Sequence, residues 1–306
     1  MKRLSCVLSF LSVIATCTLA LSTAMAQEGP LVDTQPKGIT SQEIIQKFAA
    51  KEKEFKEARD QYTYRQDIHV MTLDGSTVTG EYKEVFDVLF DDQGHRIENV
   101  VFAPASSLEQ GGLSLDEGDI QDFRHRLPFV LTSDEIPEYN ILYVGQQQED
   151  ELHCYVFDIS PKQIEGKKRY FQGRIWVDDH DFQIVKTYGK AVPDLCGEHP
   201  CNTVKKRNSN SEHLYPKFTT WRQQIDGKYW FPTYTRADDT LHFQMNDIHI
   251  REIVKYEDYK RFGSSVKILY NGQEVEKAQP QDQKTQQNQK PDAAPQTPQS
   301  QTPQQK

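Results

Sequence analysis

Two aromatic-rich hairpins constrain the fold of this chain more than any other feature of its sequence. Residues 170–190 read Y-F-Q-G-R-I-W-V-D-D-H-D-F-Q-I-V-K-T-Y-G-K, two strand-like runs around an acidic turn, and residues 218–236 repeat this arrangement. The second unit contains Asp226-Gly227, a dipeptide typical of two-residue hairpin turns. The sequence therefore predicts long antiparallel strands in this half of the chain.

Strand alternation predicts how the side chains of the first hairpin divide between the two faces of the sheet, because successive residues of a strand point to opposite sides. One face receives Tyr170, Trp176, Phe182, Ile184 and Tyr188, and the other receives Phe171, Ile175, Val177 and Val185. Both faces are then apolar, whereas a sheet with one wet face would alternate apolar with polar residues. We expect helices to cover one face and a bound apolar ligand to cover part of the other.

The first 26 residues have the pattern of a cleaved signal peptide. Two basic residues precede an apolar stretch over 4–21, and A-M-A follows at 24–26 as an A-x-A cleavage pattern. The alternative is an uncleaved anchor helix, but Ser and Thr residues interrupt the apolar stretch. The residues before Cys17, Ile14-Ala15-Thr16, match a lipobox poorly, so lipidation at Cys17 is the less favoured alternative. We expect export to the periplasm, removal of residues 1–26 and a short linker over 27–39.

The charge balance argues against nucleic acid as a partner. The whole chain has a formal charge of −9, and without residues 1–26 it has 34 Lys and Arg against 45 Asp and Glu, or −11. A nucleic-acid binder needs a basic footprint, and the densest basic cluster is Lys205-Lys206-Arg207.

Three cysteines follow the signal peptide. Cys196 and Cys201 lie in C-G-E-H-P-C, where an oxidising compartment favours a local disulfide. A metal clip that adds Glu198 and His199 is the less favoured alternative, since so short a loop offers little support to the ligands. Cys154 lies inside a predicted strand and is expected to be a small buried thiol.

The C-terminal region changes in composition. Residues 279–306 hold eleven Gln and five Pro and no aromatic residue, so this segment cannot bury a core. We predict a single domain over 40–272, followed by a disordered Gln/Pro-rich tail over 273–306.

Helix and strand signals fill the predicted domain. Thr40 and Glu43 form a capping box that starts a helix over 41–61, and a second capping box starts a short helix over 114–127 that ends at Pro128. Alternating patterns predict strands over 62–73, 78–90, 95–102, 139–144, 151–159 and 248–260, besides the two hairpins. The expected fold is α+β: a strongly curved antiparallel sheet of about ten or eleven strands, an open half-barrel, with helices over its concave face.

Sequence motifs of catalysis are missing from the chain: it has no P-loop, no G-x-G-x-x-G, no H-E-x-x-H and no G-x-S-x-G. The densest acidic cluster, residues 178–181, reads as a hairpin turn, and it lacks the remaining ligands and the Gly of a calcium loop. Asp238-Asp239 also reads as a turn, and nothing in the sequence orients His242 and His249 as an acid–base pair. We expect no enzyme activity, no metal and no cofactor.

Aromatic residues provide candidates for a binding site. Twelve of them lie within residues 170–234, and a strongly curved sheet can enclose a cavity that its own side chains do not fill. An acyl chain of about sixteen carbons, at about 0.8 kcal/mol per buried CH₂, offers at most about 13 kcal/mol. The residues predicted to line a hydrophobic cavity are Phe86, Phe90, Leu127, Phe129, Leu131, Trp176, Trp221, Trp230 and Tyr234.

Four motifs carry a resemblance to a known superfamily: Y-F-Q-G-R-I-W-V-D-D at 170–179, F-Q-I-V-K at 182–186, L-P-F-V-L-T at 127–132 and W-R-Q-Q-I-D-G-K-Y-W-F-P at 221–232. With the order of strands they resemble the LolA/LolB superfamily, and more narrowly bacterial outer-membrane lipoprotein-sorting-like proteins. The resemblance implies an open half-barrel whose concave face binds lipid or the acyl chains of lipoproteins in the periplasm, without catalysis. Arg96, Arg124 and Arg126 are candidates for the arginine that locks the covering helices in this superfamily.

Three functions follow as hypotheses. The first is a monomeric periplasmic carrier or chaperone for lipid or lipoprotein acyl chains. The second is a sensory or protein-binding module of the same fold, with an envelope protein as its partner. The third is an enzyme centred on residues 178–181 or on His242, which the missing motifs make the weakest of the three.

Overall fold

The structure is a computed structural model in which the described part of the chain has one long α-helix, two short 3₁₀ helices (Leu108–Gly111 and Ile136–Glu138) and an extensive β-sheet. It describes residues 28–91, 95–115, 119–120, 124, 131–166, 168–193, 195–196, 199–200, 215–243, 246–261, 269–270 and 273–274. The predicted signal peptide, Cys201 and nearly all of the predicted tail lie outside these residues, so the predicted Cys196–Cys201 disulfide lies outside them too.

The capping box starts the helix as the sequence predicts. Helix α1 runs over Ser41–Arg59. The Thr40 hydroxyl accepts a hydrogen bond from the Glu43 amide at 3.2 Å, and the Glu43 carboxylate accepts one from the Thr40 amide at 2.8 Å. These reciprocal bonds satisfy backbone donors that a helix start leaves unpaired.

The strands follow the predicted alternating runs, most of them with bounds within one or two residues. In chain order they are β1 (Tyr62–Asp74), β2 (Thr77–Phe90), β3 (Arg96–Phe102), β4 (Tyr139–Glu149), β5 (Leu152–Pro161), β6 (Tyr170–Asp178), β7 (Ile184–Val192), β8 (Leu195–Cys196), β9 (His199–Pro200), β10 (Phe218–Ile225), β11 (Tyr229–His242), β12 (Asp247–Arg261), β13 (Leu269–Tyr270) and β14 (Gln273–Glu274).

Ten of these strands form one open antiparallel sheet, in the order β3-β2-β1-β12-β11-β10-β7-β6-β5-β4. Neighbouring strands of this sheet are consecutive in the chain except at two places, where β12 pairs with β1 and where β10 pairs with β7. The strands β3 and β4 are the two edges, so the sheet is curved but not closed. The predicted open sheet of ten or eleven strands is confirmed.

Short elements complete the description. The strands β8 and β9 pair with each other. The chain divides into a unit of residues 1–262 and a unit of residues 263–306, and within the second unit β13 and β14 form a short antiparallel pair. Of the second predicted helix, only three residues that are helical, Asp119, Ile120 and Arg124, belong to the described part. Full helical cover of the concave face stays a prediction.

Turn chemistry at the second hairpin matches its sequence. Asp226 and Gly227 both have positive φ, 53° and 64°, which a type I′ turn requires. The Lys228 amide donates to the Ile225 carbonyl at 3.2 Å. The hairpin therefore forms at the predicted dipeptide.

Helix α1 packs against one face of the sheet, here called the covered face. Phe48 meets Phe157 of β5 edge-on at 5.6 Å between ring centroids, and Phe55 meets Phe231 of β11 at 5.1 Å. Fully buried residues from the helix and the sheet, among them Ile44, Ile175 and Ile184, share one cluster. The opposite side is here called the open face.

A β-bulge corrects the predicted division of side chains in the first hairpin. Trp176 pairs with Lys186, but its neighbour Val177 pairs with Ile184, so β7 carries one extra residue there. Ile184 consequently joins Val177 on the covered face, and Val185 packs with Trp176. The prediction that Phe182 and Ile184 share a face with Trp176 is wrong, because an extra residue reverses the alternation.

One buried ion pair links α1 to the sheet. Glu52 and Arg222 of β10 are each 1% exposed in their side chains, with Nη1–Oε1 at 2.6 Å and Nη2–Oε2 at 3.1 Å. Burial raises the pKa of Glu52 against the opposing effect of Arg222. The pair fixes the helix position through two directional hydrogen bonds.

Removing one partner of this pair should destabilise the fold strongly. Arg222→Met leaves the Glu52 carboxylate buried without its partner, and we expect a loss of about 3–5 kcal/mol in the free energy of unfolding. The double variant Glu52→Leu/Arg222→Met should recover most of that loss, since no charge stays buried. Urea unfolding measures both. Equal losses in the single and double variants would show that packing, not charge, dominates.

Candidate binding site

The covered face has a second apolar region, on β1, β2 and β12, beyond the part that packs in the cluster with α1. Its centre is fully buried and includes Ile68, Phe86, Val88 and Val254. Such a surface must be covered by protein or by an apolar ligand, because exposing it to water is unfavourable.

A loop covers one end of this region. Leu108 and Leu113 are buried in the same cluster as Phe86. The Ser107 amide donates to the Glu81 carbonyl, and the Glu81 amide donates to the Ser107 hydroxyl, both at 2.9 Å. Gly111 is required here, since a Cβ at this position would lie 1.8 Å from the Thr72 hydroxyl. Backbone bonds and close packing hold this part of the cover.

Arg124 is held at the same region by an ion pair. Its guanidinium donates to both carboxylate oxygens of Glu84 on β2, at 2.9 and 2.7 Å, and the Glu84 side chain is only 2% exposed. Tyr82 also donates to Glu84, at 2.7 Å. Burial alone would raise the pKa of Glu84, but the hydrogen bonds from Arg124 and Tyr82 outweigh it and hold that pKa below its ordinary value. Glu84 is therefore a carboxylate at neutral pH.

Arg96 of β3 holds the backbone at the same place. Its Nη2 donates to the Arg124 carbonyl at 2.9 Å, and its Nη1 donates to the Tyr64 hydroxyl at 2.9 Å. We call Glu84, Arg96 and Arg124 the latch. Two of the three arginines that the sequence offered as candidates for locking the cover meet here, and the third, Arg126, lies outside the described residues.

The predicted cavity residues are divided among several places. Phe86 is fully buried beneath the latch, with Phe90 at the margin of the same cluster, whereas Leu131 is fully buried in the cluster with α1. Leu127 and Phe129 lie outside the described residues. Ligand binding by any of these residues stays a prediction.

The predicted aromatic residues of the later strands lie elsewhere. Trp176 and Trp230 belong to a third cluster with Cys154 and Val156, and Trp221 packs on Tyr234 at 5.7 Å between ring centroids. Strand pairing places Trp176, Trp221 and Tyr234 on the open face. The structure therefore does not bring them to the surface beneath the latch.

The acidic cluster at residues 178–181 is a turn, as predicted. Asp178 accepts hydrogen bonds from the amides of His180 and Asp181 at 3.2 and 3.0 Å, and Asp181 accepts one from the Trp230 indole at 2.8 Å. The carboxylates thus organise the hairpin. Within the described residues no group of three metal-ligating side chains is found, and no helix is long and apolar enough to cross a bilayer.

Cys154 is a buried free thiol, as predicted. Burial, with smaller contributions from neighbouring carboxylates, raises its pKa far above the ordinary value of a cysteine. A thiol in this state is a poor nucleophile, because the thiolate is the reactive form.

Ion pairs dominate the open face on β1, β2, β11 and β12, outside the hairpin for which two apolar faces were predicted. Arg65 and Asp87 pair at 2.8 Å, His69 and Glu81 at 2.9 Å, and Asp238 accepts bonds from His249, Arg251 and Arg236. Paired charges remain in contact with water, so this half of the open face needs no cover.

Comparison with known proteins gives likeness to solved structures only. No protein-family model and no curated protein matches the chain. The LolA superfamily protein NE2245 from Nitrosomonas europaea is similar at 14% identity, with 74% of this chain and 96% of that one covered and a TM-score of 0.30. A DUF1329 family protein from Desulfovibrio piger is similar at 12% identity, with coverages of 67% and 87% and a TM-score of 0.28.

A further similar structure is the MucA/MucB complex of Pseudomonas aeruginosa, at 12% identity, with coverages of 70% and 93% and a TM-score of 0.20. The first of the matched structures comes from the superfamily that the sequence motifs resemble.

The Asp238 cluster predicts a pH dependence of stability. Partial burial would raise the pKa of Asp238, but hydrogen bonds from His249, Arg251 and Arg236 outweigh it and lower that pKa to about 2. Its unfolded value is about 3.9, so the stabilisation is present above that pH and is lost as the pH falls towards 2. The difference in unfolding free energy between wild type and Asp238→Asn should therefore shrink between pH 5 and pH 2. A constant difference would contradict the assignment.

Proposed function

We propose that this protein is a periplasmic binding protein that holds lipid, or the acyl chains of lipoproteins, against the covered face of its sheet, and that it catalyses no reaction. The observation that carries the proposal is the latch: Arg124 binds Glu84, and Arg96 holds Arg124, beside the fully buried apolar residues of β1, β2 and β12.

The contrast between the latch and the surface beneath it supports a carrier. Arg124 keeps 30% of its side chain exposed, so it can regain water when the cover moves. Exposing the apolar side chains of Phe86 and Val88 to water is unfavourable. An acyl chain would replace the cover as their apolar partner, with an upper bound of about 0.8 kcal/mol for each CH₂ buried.

The resemblance to the LolA/LolB superfamily points in the same direction. The latch arginines are among those that the sequence offered for locking the cover, and the edges of the sheet leave it open to a ligand. The signal-peptide pattern of the sequence supports the periplasm as the location of this activity. Catalysis is not part of the proposal, because the one carboxylate cluster of the hairpin serves as a turn.

Palmitate binding by protein purified without detergent tests the carrier. Glu84→Gln replaces the latch carboxylate by an amide, so the charge-assisted bonds to Arg124 are lost and the cover opens more often. We expect palmitate to associate about tenfold faster with this variant than with wild type, for a latch worth about 1.4 kcal/mol in the barrier to opening. Native mass spectrometry counts the bound chain, and stopped-flow fluorescence gives the rate.

Asp87→Asn is the matched control. Asp87 lies three residues along the same strand on the opposite face, in an equally bidentate pair with Arg65 at 2.8 and 3.2 Å. This variant should behave as wild type does. If wild type, Glu84→Gln and Asp87→Asn all show only the mass of the bare chain, the carrier proposal is wrong. If palmitate is recovered chemically altered, the proposal that the protein catalyses no reaction is wrong.

An exposed edge strand favours a second function, the binding of an envelope protein. In β3, the side chains of Ile97, Val100, Val101 and Phe102 are 47–51% exposed. An edge strand with exposed apolar side chains is suited to pairing with an extended segment of another protein.

A charge on this edge tests the second function. Val100→Lys should abolish co-purification of a defined envelope partner with the delipidated protein, because a lysine opposes strand addition at an edge. Val78→Lys is the control, since Val78 is similarly exposed, at 47%, but lies at the start of β2. Equal retention of the partner by both variants would contradict binding at β3.

A further inference from the structure

A segment that precedes α1 forms an added strand along the β4 edge of the sheet. Residues 28–35, here called the strap, run antiparallel to the last part of β4, and Val32 forms a bridge with Gln146 there. An edge strand leaves a row of backbone donors and acceptors unpaired, so the strap covers an edge that would otherwise accept another strand. The predicted linker over 27–39 therefore begins with a paired segment.

Backbone hydrogen bonds hold the strap to β4. Val32 and Gln146 exchange two of them, at 2.8 and 2.9 Å, and the Gly29 amide donates to the Gln148 carbonyl at 2.8 Å. Gly145 permits this approach, since its φ is 141° and a Cβ there would lie 2.4 Å from the Val32 carbonyl oxygen. Any extended segment without proline offers the same amides and carbonyls, whatever its side chains.

Side chains of β4 also bind the backbone of the strap. Gln147 donates to the Gly29 carbonyl at 2.7 Å, and Tyr143 donates to the Thr34 carbonyl at 2.8 Å. The Trp176 indole donates to the Gln147 side chain at 2.8 Å, which orients the amide that binds the strap. The β4 edge therefore recognises main-chain groups of the strap both through its own backbone and through its side chains.

The side chains of the strap contribute little to its attachment. Seven of its eight residues are exposed, with Leu31 at 38% and Val32 at 49%. A cleft of about 390 Å³, lined by the strap together with β4 and β5, reaches Cys154, so the strap does not pack closely on the sheet. Segments with few buried apolar contacts are among the least stable parts of a structure.

One side chain of the strap makes a specific contact, in a groove on the open face. This groove of about 1030 Å³ runs from β4 to the start of β10, and Glu28 lines it. The Glu28 carboxylate lies 3.5 Å from the Lys186 ammonium and accepts a hydrogen bond from Gln147 at 3.0 Å. Lys186 also pairs with Glu149 of β4 at 2.8 Å. One ammonium group therefore serves two carboxylates, one from β4 and one from the added strand.

We propose that the last part of β4 is a strand-addition site for an extended segment of a partner protein, and that the strap occupies this site until such a segment replaces it. The partner segment carries a carboxylate at the position of Glu28, where Lys186 attracts it. It has glycine at the position of Gly29, since a Cβ there would lie only 3.2 Å from the Gln148 Cβ.

The cleft and the exposed side chains favour a foreign segment over a second copy of this chain. A second copy would offer the same strap and gain no contact that the chain does not already make within itself, whereas the intramolecular strap has the advantage of effective concentration. A different segment gains stability by filling the cleft. This site lies on the edge opposite β3 and does not depend on the functions proposed above.

Fluorescence anisotropy with a labelled peptide of the strap sequence, E-G-P-L-V-D-T-Q, tests the proposal on the full chain. Val32→Pro removes the amide that donates to Gln146, so the strap leaves the edge. We expect this variant to bind the peptide about tenfold more tightly than wild type does, because the apparent affinity rises with the fraction of free sites. Val32→Thr is the matched control, since it keeps the amide, and it should bind as wild type does.

The Trp176 indole N–H resonance reports the same exchange locally, because Trp176 holds the Gln147 side chain. It should shift in Val32→Pro and return towards its wild-type position when the peptide is added. The indole resonance of Trp221, which packs on Tyr234, should stay in place throughout.

Peptide variants test what the edge recognises. A peptide with threonine at the positions of Leu31, Val32 and Asp33 should bind as tightly as the strap sequence, since the bonds are to the backbone. Proline at the position of Val32 should abolish binding. Glutamine at the position of Glu28 should weaken binding about threefold, because a half-exposed ion pair contributes little.

Three outcomes would overturn the proposal. Failure of Val32→Pro to bind the peptide would show that β4 accepts no added strand. Equal affinities of Val32→Pro, Val32→Thr and wild type would show that the strap does not compete for the edge. A wild-type dimer that Val32→Pro abolishes would make a second copy the occupant. Val100→Lys, which alters β3, should keep wild-type affinity for the peptide, so the two edges are tested separately.

Discussion

An open antiparallel sheet has two faces and two edges, and each must either be covered or be compatible with water. This requirement organises the protein. The covered face is apolar over most of its area, so it requires a partner along its whole width. Helix α1 supplies that partner over β5, β6 and β11 and is fixed there by Glu52 and Arg222. Over β1, β2 and β12 the loop around Leu108 and the latch supply it instead.

The two kinds of cover differ in what holds them in place. Phe48 and Phe55 bury aromatic rings that lose their packing if α1 leaves. Arg124 makes charge-assisted bonds that water can replace, since part of its side chain is already exposed. In the proposed carrier function, a cover of the second kind is the one that opens. The open face also differs along its width, with ion pairs over β1, β2, β11 and β12 and a groove over β4 to β7.

Much of the fold could be predicted from the sequence because its signals are local. Capping at Thr40 and the Asp226-Gly227 turn depend on residues a few positions apart. The candidate site was harder to predict. The latch joins Glu84 to Arg124 across forty residues, and no local pattern in the sequence indicates such a contact. One signal was available for the groove: Lys186, Tyr188 and Lys190 recur at every second residue of β7, which puts them on one face.

The sequence by itself determined the antiparallel strands, the first helix and the signal-peptide pattern, since periodicity, caps and turns are properties of neighbouring residues. Only the tertiary structure decided which face each side chain occupies. One extra residue opposite Trp176 moves Ile184 to the covered face, and a bulge depends on the pairing of two strands rather than on either strand alone. For the same physical reason, the latch and the groove exist only once distant strands are neighbours.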